Sequence, residues 1–273
     1  YKIYYSKLEL CNKIEEIEHP VIRACITFLE INDPLEIHVI ADLPARSGTG
    51  SSSSFTVGLL NSLYTFRGQT ISKERLAIEA IHIEQVILKE RVGVQDQLAA
   101  AHGSLNLFQL SKKSTFKVCK ININSIRKKE LEENLLMFYT GIKRYAHKIL
   151  KEQISNTKQN KISSDLKRIK EMVVKGNEIL SSNVSLDNFG LLLDDAWNTK
   201  KKLSKAISST FLNDIYSRAK DSGAIGGKLL GAGGGGFFVF YVNKQFHSNV
   251  RKGLSDLLEI DFNFEDDGSK IIN

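Results

Sequence analysis

Leu35-Glu36-Ile37-His38-Val39-Ile40-Ala41, then Ser47-Gly48-Thr49-Gly50-Ser51-Ser52-Ser53-Ser54, then an apolar series at Phe55, Leu59, Leu60, Leu63 and Phe66, decides how this chain folds. The first stretch alternates with period two, as a half-buried strand does. Pro44 ends it. The last stretch has helical spacing. Between them lies a flexible polar loop whose glycines let the backbone turn with positive φ and approach a ligand closely. A helix start offers N–H groups outside its own ladder and the positive end of the macrodipole, and serine hydroxyls add donors or a magnesium ligand. That is phosphate-binding chemistry. It is not a Walker A loop, because no Gly-Lys-Ser/Thr follows. The plainer alternative is a linker ending in a serine N-cap.

Working outward, Ile71 to Arg75 starts a second helix, with an apolar stripe at Ala77, Ala80, Ile81, Ile87 and Leu88. Glu84 falls on that stripe. A buried carboxylate needs a cation or hydrogen-bond donors, so a magnesium ion or a structural arginine or lysine would answer it. Gly93-Val94-Gln95-Asp96-Gln97 opens a short alanine-rich helix that stops at Gly103. Asp96 is either an ordinary helix cap or an active-site carboxylate that accepts a proton or orients a hydroxyl. Leu105 to Gln109 and Thr115 to Ile123 read as a hairpin.

The charged stretch Arg127 to Glu133 is the expected boundary between two domains, 1–130 and 131–273. Beyond it, Leu135 to Tyr139 reads as a buried strand and Arg144 to Gln153 as a basic helix. Ser155 to Ser164 reads as a loop or frayed helix end, followed by helices near 165–180, 186–205 and 209–221. Gly226-Gly227-Lys228-Leu229-Leu230-Gly231-Ala232-Gly233-Gly234-Gly235-Gly236 comes next. Then follow strand Phe237 to Val242, a helix over 244–258 and an alternating strand at Ile260, Phe262 and Phe264. Gly231-x-Gly233-x-x-Gly236 matches the dinucleotide fingerprint formally, but that motif needs a strand before it and a helix after it. Here the order is reversed. Mixed helices, strands and hairpins predict an α+β class.

Composition excludes several alternatives. Among 273 residues, 38 are Lys or Arg and 31 are Asp or Glu, a formal charge of +7. The apolar run Phe237–Val242 is far short of the roughly 20 residues a membrane helix needs. Three scattered cysteines (Cys11, Cys25, Cys119) make neither a disulfide framework nor a zinc site, and suit a reducing cytoplasm. The lysine clusters lack the aromatic interleaving of a nucleic-acid platform. The mild positive bias suits an anionic small molecule, so no nucleic-acid or membrane partner is expected. The chain opens on Tyr1, with a strand-like Tyr1 to Tyr5.

Together these residues resemble the GHMP small-molecule kinases. Leu43-Pro44-Ala45-Arg46-Ser47-Gly48-Thr49-Gly50-Ser51-Ser52-Ser53 looks like the family's second motif, and Lys228 to Phe237 like its third. Gly93 to Gln97 with Ala99 to Gly103, Tyr139-Thr140-Gly141-x-x-Arg144, and Trp197-x-x-Lys200-Lys201-x-Leu203-Ser204 resemble the D-glycero-D-manno-heptose 7-phosphate kinase branch. The resemblance implies a ribosomal-protein-like N-terminal domain, a ferredoxin-like C-terminal domain, and an ATP- and Mg2+-dependent sugar-phosphate kinase of the cytoplasm. Such an enzyme would phosphorylate the anomeric hydroxyl of heptose 7-phosphate for capsule or lipopolysaccharide synthesis. Galactose-, mevalonate- or homoserine-type kinases, or a non-catalytic binding relative, stand as alternatives, and a homodimer as an open expectation.

The resemblance also assigns roles. Ser47, Gly48, Thr49, Gly50, Ser51, Ser52 and Ser53 would hold ATP; Ser52, or else Ser51, and Glu84 would hold the metal. Asp96 would be catalytic, and Arg144, Gly233, Gly234 and Gly235 would face the substrate. The family's first motif is absent, and the expectation is a missing segment upstream of Tyr1.

Overall fold

The computed structural model describes residues 1–43, 48–111, 115–142 and 146–272, with backbone alone for 146–151. The chain divides into two compact units. One is Tyr1–Ala45, Gly50–Phe108 and Glu265–Asn273; the other is Arg46–Thr49 and Gln109–Phe264.

The first unit holds strands β1 (Lys2–Tyr4), β2 (Leu8–Leu10) and β3 (Glu36–His38), in sheet order β2-β1-β3. β1 is antiparallel to β2 and parallel to β3. Helix α1 (Pro20–Phe28) lies between β2 and β3 in sequence; Pro20 pre-sets its first φ and the His19 ring accepts from the Ile22 N–H. Helices α2 (Ser51–Phe66), α3 (Lys73–His82) and α4 (Gln95–His102) follow β3. Ile3, Ile22, Ile26, Val57, Leu60, Ala77 and Leu98 are fully buried and form its core. α3 does not end cleanly. It passes into a π-helical turn, Ile83–Ile87, an insertion that often marks a functional position. Residues 265–269 return to this unit and bond to Ala100 and Ser104 at the end of α4.

In the second unit, β4 (Asn106–Leu110, which starts in the first unit) and β5 (Phe116–Lys120) form a two-stranded sheet. Then come α5 (Ser125–Glu133), β6 (Leu135–Tyr139), α6 (Ala146–Lys158), α7 (Ser163–Ser181), α8 (Asp187–Lys201), α9 (Thr210–Asp221), β7 (Ala224–Leu229), β8 (Phe237–Val242), α10 (His247–Gly253) and β9 (Leu258–Glu259). The sheet β7-β8-β6-β9 is antiparallel throughout. Phe138, Phe238, Phe240, Val242 and Leu229 on one of its faces pack against Trp197, Leu212, Ile215 and Tyr216. Among the described residues no helix is long and apolar enough to cross a membrane.

Several elements depart from the sequence expectations. The strand expected at Ile260, Phe262 and Phe264 is confined to Leu258–Glu259. The Phe264 N–H donates to the Glu132 carboxylate at 2.6 Å instead of to a neighbouring strand, and the Phe262 and Phe264 rings pack edge to face. The helix expected over 244–258 is a short 3-10 turn plus α10. The charged stretch 127–133 is itself helical, begun by Asn124, whose side chain accepts from the Arg127 N–H at 2.8 Å. The start of the glycine cluster is strand β7. A Cβ on Gly226 would lie 2.1 Å from the Gly190 carbonyl oxygen of α8, so only glycine admits that helix so close.

Candidate functional site

The loop before α2 ends in two left-handed glycines, Gly48 at φ +87° and Gly50 at φ +76°. Gly50 is the N-cap and offers no side-chain cap, and the first turn of α2 carries no acidic residue. The helix start is thus left electropositive, a suitable seat for an anion. Ser51 is half-buried, Ser52 exposed and Ser53 buried. Ser47 lies outside the described residues.

Glu84 lies in the first turn of the π-helical segment, next to Ile83, and is 1% exposed. Its carboxylate accepts from the Ser53 hydroxyl at 2.9 Å, the Thr56 hydroxyl at 2.8 Å and the Gln97 side-chain amide at 2.5 Å. Among the described residues it has no lysine, arginine or histidine partner. Burial pushes the Cys25 thiol up, and the Glu84 charge pushes it further. Asp96 sits in the first turn of α4, against Gly50: a Cβ on Gly50 would lie 3.3 Å from the Asp96 Cβ and Cγ and 3.4 Å from its Oδ2. The phosphate-type loop, the buried Glu84 and Asp96 therefore converge, joined through Gln97.

Of the serines, Ser53 reaches Glu84, while the Ser52 backbone carbonyl lies 3.1 Å from the Thr56 hydroxyl and shares that hydroxyl's one proton with Glu84. Thr56 carries no motif signal of its own, and Gln97 enters the sequence reading only as the last residue of the Gly93–Gln97 motif, with no role assigned. Thr56 stands in line with Leu60 and Leu63 on the inward face of α2, where a polar residue needs a partner. Gln97 is simply the inward neighbour of Asp96.

No group of three His, Cys, Asp or Glu residues capable of holding a metal occurs among the described residues. Magnesium at a nucleotide needs less, because it keeps waters and uses one or two carboxylates plus phosphate oxygens. A carboxylate has about four acceptor positions, and at most three donors, one of them the shared Thr56 hydroxyl, reach those of Glu84. At least one position remains and no donor among them is charged, so the donor set fits a divalent cation.

The second glycine cluster lies in the other unit. Gly233, Gly234 and Gly235 all have positive φ. A Cβ on Gly233 would lie 2.8 Å from the Ile207 Cα, and one on Gly235 2.6 Å from Ile142 Cγ2. The Gly234 N–H donates to Ile207 at 2.8 Å and the Gly236 N–H to Ile142 at 3.0 Å. Thr140 is bonded to Gly236 through its backbone and its hydroxyl, and Lys200 donates to the Leu229 and Gly231 carbonyls. These glycines are demanded by close backbone packing at this loop. Arg144 lies outside the described residues. A cavity of about 590 Å³ in this unit is lined by groups already paired with one another, Glu133 with Lys244 and Arg251 with Glu259.

The family model for the GHMP kinases N terminal domain matches residues 10–104. A D-glycero-alpha-D-manno-heptose 7-phosphate kinase from Campylobacter jejuni is 30% identical over 236 residues, 86% of this chain and 69% of that protein. The chain belongs to the GHMP kinase family. As a GHMP kinase it is an ATP-dependent phosphotransferase of the sugar-kinase type, as the sequence resemblance implies. A D-glycero-D-manno-heptose 1-phosphate kinase structure from Bacteroides thetaiotaomicron superposes with a TM-score of 0.67 at 22% identity, over 100% of this chain and 83% of that one. A Streptococcus pneumoniae phosphomevalonate kinase, solved with phosphomevalonate and AMPPNP, superposes with a TM-score of 0.74 at 16% identity, over 95% and 87%. Both show the α+β GHMP kinase fold.

Proposed function

We propose that this GHMP kinase transfers the γ-phosphoryl group of ATP to the anomeric hydroxyl of D-glycero-D-manno-heptose 7-phosphate, giving the 1,7-bisphosphate and ADP. The hydroxyl oxygen attacks the γ-phosphorus, the bond to the β–γ bridging oxygen breaks, and the hydroxyl proton passes to Asp96. The observation that carries the phosphotransfer is Asp96 seated against Gly50 at the N-terminus of α2, with Glu84 buried one hydrogen bond away from Ser53. The heptose substrate is supported by the name of the Campylobacter relative and by the branch motifs around Asp96, Thr140 and Trp197.

In this reading the N–H groups and hydroxyls of residues 47–53 would hold the ATP phosphates, and Ser52 and Glu84 would hold Mg2+. The bound cation neutralises charge on the transferred group. Asp96 orients the sugar hydroxyl, Arg144 meets the sugar phosphate through a bidentate guanidinium, and Gly233 to Gly235 line the substrate side. The domains are taken as 1–130 and 131–273. The product would supply nucleotide-activated heptose for capsule or lipopolysaccharide synthesis in the cytoplasm.

An ADP-release assay over heptose 7-phosphate, heptose 1-phosphate, galactose, mevalonate and homoserine tests the substrate. The expected result is turnover with heptose 7-phosphate and a product bearing two phosphates by 31P NMR. Turnover with another acceptor and none with heptose 7-phosphate sinks the assignment. Asp96→Asn is expected to lower kcat by a factor of about 10²–10⁴, the range for a lost proton acceptor.

A further inference from the structure

Gln97 is wholly buried, yet only half of its amide is used. Its nitrogen donates to the Glu84 carboxylate, while its oxygen is buried without a hydrogen-bond partner. The orientation is forced, because an ionised carboxylate only accepts. An orphaned buried carbonyl is costly, and a methionine of similar length would avoid it. The amide earns its place only through the donor it turns toward Glu84.

The other two donors to Glu84, Ser53 and Thr56, both come from α2. Gln97 is the one described donor from α4, the helix that carries Asp96. Consecutive helical residues diverge by about 100°, so one turn of α4 sends Gln97 inward to Glu84 and leaves Asp96 outward against Gly50. We propose that Gln97 is the positioning residue that fixes the Glu84 carboxylate toward the nucleotide-bound divalent cation and holds it in register with Asp96. The proposal rests on the assignment of Glu84 to the cation.

Groups that orient a metal-facing carboxylate typically contribute 10- to 100-fold to metal affinity or activity. The test uses Mn2+ as the probe, its binding followed by electron paramagnetic resonance on the full chain with a non-hydrolysable ATP analogue. Gln97→Met is expected to weaken Mn2+ binding about tenfold and to lower kcat, with KM for the sugar phosphate unchanged. Gln97→Asn keeps the amide but withdraws it from Glu84 by one methylene, so it is expected to weaken Mn2+ binding by a similar factor.

Unchanged Mn2+ affinity in Gln97→Met overturns the proposal. If Gln97→Met does not fold, Gln97→Asn decides alone, and wild-type Mn2+ affinity there overturns it as well. Glu84→Gln separates the two claims. Unchanged Mn2+ affinity there removes the assignment of Glu84 itself; lost affinity there with intact affinity in Gln97→Met removes only the role of Gln97.

Discussion

Gly50 meets two demands at one Cα. Its φ of +76° disfavours any side chain, and its missing Cβ leaves room for Asp96 at 3.3 Å. Gly58, on the same helix, meets neither, since nothing lies within 4 Å of its virtual Cβ. The pair gives a controlled comparison. Gly50→Ala is expected to destabilise by about 1–2 kcal/mol, the cost of a left-handed non-glycine residue, and to depress kcat by displacing Asp96. Gly58→Ala is expected to stabilise by roughly 0.5–1 kcal/mol, as removing a mid-helix glycine does, with kinetics unchanged. Urea unfolding and steady-state kinetics on both variants check this; equal kinetics for the two would remove any special role for Gly50. At this scale Asp96, Glu84 and the loop glycines are legible because each breaks a pattern: a carboxylate on an apolar stripe, glycines at a helix start. Thr56 and Gln97 break none, and only the fold shows that their partner is Glu84.

At the scale of elements, a buried carboxylate organises the entry to α1. Glu9 accepts from the Tyr5 hydroxyl at 2.7 Å, the Glu18 N–H at 2.6 Å and the His19 N–H at 3.1 Å, just ahead of the helix's positive end. Burial raises its pKa, but these donors outweigh burial and hold it below the ordinary glutamate value of 4.5. The phenol responds in the opposite sense: burial and the Glu9 charge push Tyr5 up to about 12. A carboxyl with a depressed native pKa contributes stability above its ordinary value and loses it as pH falls through the native one. Glu9→Gln is therefore expected to cost about 1 kcal/mol at neutral pH and to flatten the decline in Tm below pH 4.5. A decline as steep as the wild type's would assign it to other carboxylates. Neither β2, three residues long, nor α1, apolar almost continuously from Val21 to Ile26, carries enough periodicity to be read in advance. α2 and α9 do, and their bounds lie close to the expected ones.

At the scale of the whole molecule, the chain's last residues return to its first unit. The Ser104 N–H donates to the Glu265 carbonyl at 2.6 Å, and the Ser269 N–H to that of Ala100 at 2.8 Å. Lys73 reaches the Asp267 carbonyl at 2.5 Å, and Asn61 of α2 the Ser269 hydroxyl at 3.0 Å. Gly268, at φ +67°, lies so close to α4 that a Cβ there would sit 2.6 Å from the Ala101 carbonyl oxygen and the Gly103 N. No local pattern reveals this, because the partners are roughly 160–210 residues apart, and loop closure over that distance leaves no periodic trace in either segment. The strap therefore braces the C-terminal end of α4, whose N-terminal turn carries Asp96 and Gln97. Gly268→Val is expected to destabilise the first unit by about 2–3 kcal/mol, combining left-handed strain with overpacking. The effect should be local. Hydrogen exchange should lose protection over residues 51–66 and 95–104, while the sheet strands 224–229 and 237–242 keep theirs, and kcat should fall with the loss at α4. Equal loss of protection in both units would show that the strap stabilises the chain as a whole; unchanged exchange at α4 would show that it braces nothing.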